Sequence, residues 1–202
     1  MLIKSGMELE KGAELVKTAR KAIECYLRDG RTLEPGTSGI EEEKGVFVTL
    51  KTYPKGELRG CIGHPEPTKL LQALIDSAIS AATRDPRFPP VLEDELEGLT
   101  IEVTILSKPE RINVSDPKEY LEKIKIGRDG LIIEKSWSKG LLLPIVPVEY
   151  SWAPIEFLQH TCMKAGLEPD AWQDKETKVY SFRGELFSED TPKGKIIKVS
   201  SS

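Results

Sequence analysis

Histidine and cysteine are scarce in this chain. Among 202 residues there are two histidines, His64 and His160, and three cysteines, Cys25, Cys61 and Cys162. An odd number of widely spaced cysteines provides neither a disulfide framework nor a CxxC metal pair. His160 and Cys162 lie two positions apart in a predicted helix, so they face different sides of it. We therefore expect no metal site and no cofactor.

Long apolar runs and an excess of basic residues are also missing. No segment approaches the roughly 20 apolar residues that span a bilayer, and residues 1–10 lack the apolar core of a secretory signal. The formal net charge of −4 disfavours strong non-specific nucleic-acid binding. No phosphate-binding loop, GxGxxG, GxSxG or HExxH motif occurs, which argues against a nucleoside triphosphatase. We expect a cytoplasmic globular protein that does not associate with membranes.

The hydrophobic pattern mixes helices with hairpins and shows no regular βαβ alternation. This mixture favours an α+β fold, a mainly antiparallel sheet with helices packed on it. Helical spacing predicts helices over 8–28, 68–83 and 152–165 and a short one opening at Asp116, and strand alternation predicts hairpins over 46–63 and 130–143 and strands over 99–107 and 178–187. Residues 31–44 are expected to form an exposed, mobile loop.

The length fits a single domain, residues 1–202, with two subdomains. Residues 195–202 are expected to form a frayed tail, because their end is polar and terminal. The three tryptophans are expected to pack in the interior: Trp137, Trp152 and Trp172.

Residues 58–64 (LRGCIGH) combine an arginine, a cysteine and a histidine with two glycines. Gly60 and Gly63 weaken a strand, so they indicate a bulge or a close approach of backbone or ligand. Alternation would place Arg59 and Cys61 on one face, where the guanidinium would lower the thiol pKa. Cys61 is then a nucleophile or redox centre, a non-covalent pocket residue, or a packing residue. His64 is either a base toward Cys61 or a solvent-facing turn residue.

A second segment, residues 83–90 (TRDPRFPP), follows the strongest helical pattern. Its three prolines stiffen it, and Arg84, Asp85 and Arg87 can pair with one another or grip an anionic group. Phe88 is expected to plug the core. On a later strand, Glu102 is a general-base candidate if its face lines a cleft, and otherwise an ordinary exposed carboxylate.

These motifs resemble the AMME-syndrome candidate-gene domain family. LRGCIG, TRDPRFPP, an IEVTIL strand and a GLLLP hairpin follow one another in register, and the resemblance runs from about Gly45 to Phe187. It implies an intracellular α+β domain of two unequal lobes, with LRGCIG near the cleft between them, and no assigned reaction. The positions that match the family motifs are Arg59, Gly60, Cys61, Gly63, Asp85, Arg87, Phe88, Pro89 and Pro90. Ile145 departs from the polar residue that many relatives place after the GLLLP segment.

The resemblance also implies partners. Relatives are often encoded beside, or fused to, a Memo-type dioxygenase-like protein and a radical-SAM-type protein. This association suggests a partner of one of these types and a link to nucleic-acid or nucleotide modification, but it is not a mechanism.

Two functions stay open from the sequence. The first is an enzyme or enzyme component that binds an anionic small molecule or nucleotide in the cleft, and the second is a non-catalytic adaptor that docks a protein on the same surface. A third, weaker alternative is single-stranded nucleic-acid binding with Phe88 or Tyr53 as stacking residues. The candidate catalytic residues are Cys61 and Glu102, and the candidate binding residues are Arg59, Gly60, Gly63, His64, Arg84, Asp85 and Arg87.

Overall fold

The computed structural model describes residues 7–35 and 42–199. These residues form two compact units. The described residues up to Leu106 and those from Glu185 onward form unit 1, and Ser107–Gly184 form unit 2. No helix in the described ranges is long and apolar enough to cross a membrane. Helices combine with antiparallel strand pairs in an α+β fold, which confirms the predicted fold class.

Two long helices belong to unit 1. Helix α1 (Leu9–Asp29) ends at Gly30, which has a φ of 66° and donates its backbone N–H to Tyr26. A glycine is favoured there because this left-handed conformation costs it nothing. Helix α2 (Leu70–Thr83) ends before Pro86, as predicted. The helices pack on each other and on the sheet through buried apolar side chains, which include Leu15, Ala19, Ile23, Leu74 and Ala78.

Three neighbouring strands of unit 1 are β1 (Glu43–Thr52), β2 (Leu58–Lys69) and β3 (Leu99–Leu106). They are antiparallel in the order β2-β1-β3, so β2 is an edge strand. The predicted start of the second helix at residue 68 is two residues too early, since β2 continues to Lys69 and includes Pro65 and Pro67. Prolines are tolerated on an edge strand because their missing N–H breaks no interior ladder.

Unit 2 is built around antiparallel strand pairs. Its core gathers side chains from strands and helices, and Phe157, Leu158 and Val179 are fully buried. The short helix predicted to open at Asp116 begins at Glu119, and Asp116 accepts the backbone N–H of Lys118 just before it. The elements of unit 2 are β4 (Glu110–Arg111), α3 (Glu119–Lys123), β5 (Asp129–Lys135), β6 (Ser138–Leu142), α4 (Val146–Glu149), α5 (Pro154–Lys164) and the first part of β7 (Lys178–Glu189). The last residues of β7 belong to unit 1 and pair there with β8 (Ile196–Val199).

Several predictions at the level of elements are wrong. The frayed tail predicted over 195–202 is a strand from Ile196 to Val199, held by β7, and residues 200–202 lie outside the described residues. Trp137 is fully exposed because it occupies the two-residue turn between β5 and β6. In the predicted loop 31–44, residues 36–41 lie outside the described residues, and β1 already begins at Glu43.

Candidate functional site

Strand register brings Cys61, Thr49 and Glu102 into one row across three strands. Thr49 of β1 lies opposite Cys61 of β2 on one side and Glu102 of β3 on the other. Val48 and Leu50, the chain neighbours of Thr49, are fully buried in the core with side chains of α1 and α2. Because side chains alternate along a strand, the row faces away from the helices. We call this side of β1–β3 the open face and the three residues the Cys61 row.

The thiol of Cys61 is half-buried and hydrogen bonded. The hydroxyl of Thr49 donates to its Sγ at 3.2 Å. Burial raises the pKa of the Cys61 thiol, and this effect exceeds the opposing effects of the Thr49 hydrogen bond and of the positive charge of Arg87. The expected lowering of this pKa is therefore wrong. A protonated thiol can donate a hydrogen bond to a ligand, whereas nucleophilic attack requires the thiolate.

Asp85 joins the loop after α2 to the edge strand beside Cys61. Its carboxylate accepts the Cys61 N–H at 2.8 Å and the Arg87 backbone N–H at 3.1 Å. It also accepts Nε and Nη2 of Arg87 at 3.0 and 2.7 Å. The bonds from Arg87 hold the pKa of Asp85 well below its ordinary range. Arg87 in turn donates to the Cys61 carbonyl at 3.3 Å, so the loop takes the place of a neighbouring strand at Cys61.

Arg87 stays accessible although Asp85 holds it. The Asp85 side chain is 2% exposed, whereas the Arg87 side chain is 53% exposed. Bidentate contact with a buried carboxylate fixes the plane of the guanidinium. Arg87 is therefore an oriented, half-exposed cation beside Cys61.

Arg59 is engaged differently from the sequence prediction. The register shifts between Leu50 and Lys51, so Arg59 is the extra residue of a β-bulge. Its guanidinium forms a bidentate ion pair with Glu95 and donates to the Pro89 carbonyl at 3.0 Å. The guanidinium beside the Cys61 thiol is that of Arg87 instead. The bulge prediction is confirmed, but the simple alternation that paired Arg59 with Cys61 is wrong.

Packing within unit 1 accounts for both glycines of the motif. A Cβ at Gly60 would lie 2.1 Å from the carbonyl oxygen of Ala81 in α2. A Cβ at Gly63 would lie 2.4 Å from the ring of Phe47. The close approach predicted for Gly60 and Gly63 is thus made by the protein's own backbone and by an aromatic ring.

His64 and Arg84 form a separate group on the helix side of the sheet. His64 Nδ1 lies 3.0 Å from the Ser77 hydroxyl, and its Nε2 lies 3.4 Å from Asp76. Arg84 Nη1 lies 3.8 Å from the same aspartate. Since Cys61 points to the open face, His64 is not placed to act as its base. Arg84 does not join a common anion cluster with the other two arginines of the motifs.

The remaining candidates are partly engaged. Glu102 is 14% exposed and pairs with Lys51 at 3.0 Å, so it is not an ordinary exposed carboxylate. Phe88 is only half-buried and does not plug the core. The guanidinium carbons of Arg59 and Arg87 lie 5.9 and 5.6 Å from its ring centroid. Within residues 7–35 and 42–199 no group of three or more His, Cys, Asp or Glu side chains is arranged to hold a metal ion.

Two residues of the site escape sequence reasoning. Thr49 alternates with Val48 and Leu50, so the hairpin register would place it opposite Cys61. Glu95 has no local signal, because it lies 36 positions from Arg59 and is brought to it by the path of the chain after α2.

Comparison with known proteins confirms the family resemblance. The AMMECR1 family model matches residues 16–187. Protein MK0488 of Methanopyrus kandleri is 52% identical over 94% of this chain and 94% of its own length. Protein MJ0810 of Methanocaldococcus jannaschii is 53% identical over 95% of this chain and 96% of its own length.

A solved structure agrees with these matches. The crystal structure of the uncharacterized protein PH0010 from Pyrococcus horikoshii is similar with a TM-score of 0.82 and 50% identity, over 96% of this chain and 98% of that chain. Sequence and structure thus agree over nearly the whole length, and the chain belongs to the AMMECR1 family.

Proposed function

We propose that the chain is an enzyme component that binds a small anionic molecule, such as a nucleotide, on the open face of unit 1. The observation that carries the proposal is Arg87, a half-exposed guanidinium fixed by the buried Asp85 directly beside Cys61. A ligand whose anionic group meets Arg87 has the Cys61 row within reach. The row offers a thiol, a hydroxyl and a carboxylate to the polar part of that ligand.

In this proposal Cys61 binds and does not attack. Its raised pKa keeps the thiol protonated at neutral pH, so the S–H group acts as a hydrogen-bond donor. Glu102 remains the acceptor of the row, with its charge balanced by Lys51. The arrangement favours non-covalent recognition over thiolate chemistry, and any reaction would take place on the bound molecule.

Titration of the uniformly ¹⁵N-labelled chain with AMP tests this proposal. We expect the backbone amides of Thr49, Cys61 and Glu102 to shift with AMP and to respond much less to adenosine, which lacks the phosphate. Arg87→Gln should weaken AMP binding about tenfold, since a charge-assisted hydrogen bond contributes about 1.5–3 kcal/mol. Arg31→Gln, a change at an exposed arginine after α1, serves as the matched control and should leave AMP binding unchanged.

Three outcomes would contradict the proposal. Amides of the Cys61 row that stay fixed at millimolar AMP would exclude nucleotide binding there. Equal shifts with adenosine would remove the role of the anionic group. Unchanged affinity in Arg87→Gln, with its fold verified by thermal unfolding, would remove the role of Arg87.

Exposed apolar side chains support a second candidate, a protein-docking adaptor. Leu58 and Leu92 are 40% and 65% exposed. Both lie near Arg59: Leu58 precedes it in the chain, and the Leu92 N–H donates at 3.4 Å to Glu95, the ion-pair partner of Arg59. Tyr53, at the end of the same hairpin, is 48% exposed. Arginine and aromatic residues such as Tyr53 are enriched in protein interfaces. The partner types are those that the family resemblance implies, a Memo-like or a radical-SAM-like protein.

Calorimetric titration with each purified partner type tests the adaptor. The double change Leu58→Ser and Leu92→Ser should abolish binding, because it removes the apolar contact area. Leu9→Ser, at an exposed leucine that starts α1, is the control and should not change it. If neither partner type binds the wild-type chain, or if the double variant binds equally well, the adaptor candidate is wrong.

A further inference from the structure

Glu102 of the Cys61 row forms an ion pair with Lys51 on the open face. Lys51 follows Thr49 by two positions on β1, so both side chains lie on the same side of the sheet. The ammonium lies 3.0 Å from Oε1 of Glu102, and the two side chains are 36% and 14% exposed. Oε2 of Glu102 accepts no hydrogen bond within the described residues and is not a fully buried atom. Glu102 therefore keeps a free acceptor that a ligand on the open face can reach.

Phe47 adds an aromatic surface to the same face. It precedes Thr49 by two positions on β1 and lies opposite Gly63 of β2. The Phe47 ring covers Gly63, because a Cβ at that glycine would lie 2.4 Å from the ring. Phe47 is only half-buried, so its ring offers area on which a flat heterocycle can stack.

The length of the Cys61 row matches a mononucleotide. Arg87 contacts the carbonyl of Cys61 at the edge strand, and Glu102 lies two strands further on. Neighbouring strands are about 4.8 Å apart, so the two ends of the row are roughly 10 Å apart. This distance is comparable to that between the phosphate and the outer edge of the base in a nucleotide. A nucleotide whose phosphate meets Arg87 therefore brings its base to Lys51 and Glu102.

The pair of Lys51 and Glu102 has a fixed pattern of donors and acceptors. The carboxylate accepts hydrogen bonds at two adjacent oxygens, and the ammonium only donates. Guanine carries the complementary edge, since its N1–H and its N2 amino group donate side by side and its O6 accepts. Adenine presents an amino group in the position of O6 and an acceptor at N1, so donor would face donor and acceptor would face acceptor. The pair therefore discriminates between the two purines.

We propose that Lys51 and Glu102 select guanine nucleotides on the open face. The Glu102 carboxylate accepts the N1–H and the N2 amino group of guanine, the Lys51 ammonium donates to O6, and the base stacks on Phe47. This inference rests on the proposed function, because it takes Arg87 as the group that holds the phosphate. It adds the identity of the base, which Arg87 does not recognise.

Affinities of the full-length chain for guanosine monophosphate (GMP) and AMP test the proposal. Both nucleotides carry the same phosphate, so they differ only in the base, and the backbone amides of Thr49, Cys61 and Glu102 report binding at the site. GMP should bind at least about tenfold more tightly than AMP, which corresponds to about 1.4 kcal/mol. Inosine monophosphate has the N1–H and O6 but lacks the N2 amino group, and it should bind with intermediate affinity.

Substitution of Glu102 by glutamine should exchange the preferred base. The glutamine amide still accepts the N1–H, but its NH₂ group opposes the N2 amino group of guanine and pairs instead with the O2 atom of xanthine. Glu102→Gln should therefore bind xanthosine monophosphate (XMP) more tightly than GMP, and the wild type should do the reverse. A merely structural loss would weaken all nucleotides alike.

Glu134→Gln is the matched control for this substitution. Glu134 also pairs with a lysine of the neighbouring strand, Lys139 at 3.3 Å, but it belongs to unit 2. Its replacement should leave the preference for GMP over AMP and XMP unchanged.

The possible results separate this inference from the proposed function. Equal affinities for GMP and AMP, with shifts in the Cys61 row, would refute base selection and leave anion binding by Arg87 intact. Amides of the row that respond to no nucleotide would overturn the proposed function and this inference with it. A folded Glu102→Gln variant that still prefers GMP to XMP would remove the role of Glu102. The wild-type comparison of GMP with AMP decides the question even if that variant fails to fold.

Discussion

Replacement of Asp85 by asparagine tests the loop that covers the edge strand. Each carboxylate oxygen serves two donors: Oδ2 accepts the N–H of Cys61 and Nη2 of Arg87, and Oδ1 accepts the backbone N–H and Nε of Arg87. Asparagine has the same shape but carries an NH₂ group in place of one oxygen. That group would face two donors and accept neither.

The expected cost follows from these contacts. Hydrogen bonds to a charged group contribute about 1.5–3 kcal/mol each when buried, but a half-exposed ion pair adds only about 0.2–1 kcal/mol. The Cys61 bond falls in the first class and the Arg87 contacts fall toward the second, because the Arg87 side chain is 53% exposed. Their sum is about 3 kcal/mol. In a chain of 202 residues this loss lowers the melting temperature by about 6–12 °C.

The pH dependence of this effect has a definite sign. The pKa of Asp85 is lowered in the folded state, so its stabilisation is full above the unfolded-state pKa of about 4. It is lost as the pH falls toward the lower folded-state pKa. The difference in unfolding free energy between the wild type and Asp85→Asn should therefore be constant over roughly pH 6 to 8. It should become smaller as the pH falls below the unfolded-state pKa.

Urea unfolding followed by circular dichroism measures that difference. Asp94→Asn is the matched control, because Asp94 is an exposed cap of a short helix in the same region and asparagine caps equally well. A loss below about 1 kcal/mol in Asp85→Asn, or an equal loss in both variants, would refute the role assigned to Asp85.

Two further substitutions test the packing of unit 1, each by urea unfolding. Gly60→Ala should lower the free energy of unfolding by about 2 kcal/mol or more, because the new Cβ meets a carbonyl oxygen of α2 at 2.1 Å. Gly98→Ala is the control, since its Cβ meets nothing within 4 Å. Equal stability of the two variants would contradict the close packing at Gly60. Arg20→Met should cost about 3–5 kcal/mol, since it leaves the buried carboxylate of Glu189 without the cation that it meets at 2.5 Å. Arg28→Met, at an exposed arginine of α1, should cost little, and a comparable loss there would show that the Arg20 effect is not specific.

Local patterns predict the elements well where the signal is short-range. The apolar stripe of α1 and the alternation in β3 depend only on neighbouring residues, so their bounds are nearly correct. Strand β8 carries no such local signal, because its ends are set by pairing with the earlier strand β7. For Trp137 the residue type suggests burial, whereas its position in the two-residue turn between β5 and β6 exposes it.

At the site too, local signals are visible in the sequence and contacts between distant positions are not. The two motifs were found from unusual residue types, and their contact through Asp85 and Cys61 is a tertiary fact that joins positions 24 residues apart. Alternation failed at Arg59 because the bulge inserts one residue, and sequence cannot locate which residue that is. The sequence shows an arginine near Cys61, which lowers the pKa of the thiol, but not the burial of Cys61, which raises that pKa by more.

Alkylation of Cys61 in the presence and absence of AMP tests the central claim most directly. Iodoacetamide labelling is followed against pH, and peptide mass spectrometry resolves the three cysteines, with Cys25 as the internal control. The account predicts slow labelling of Cys61 at neutral pH, an apparent pKa above the usual thiol value of about 8.5, and further protection by AMP but not by adenosine. Fast labelling at neutral pH, or labelling that AMP leaves unchanged, would contradict an open face that binds an anionic molecule through a protonated thiol and Arg87.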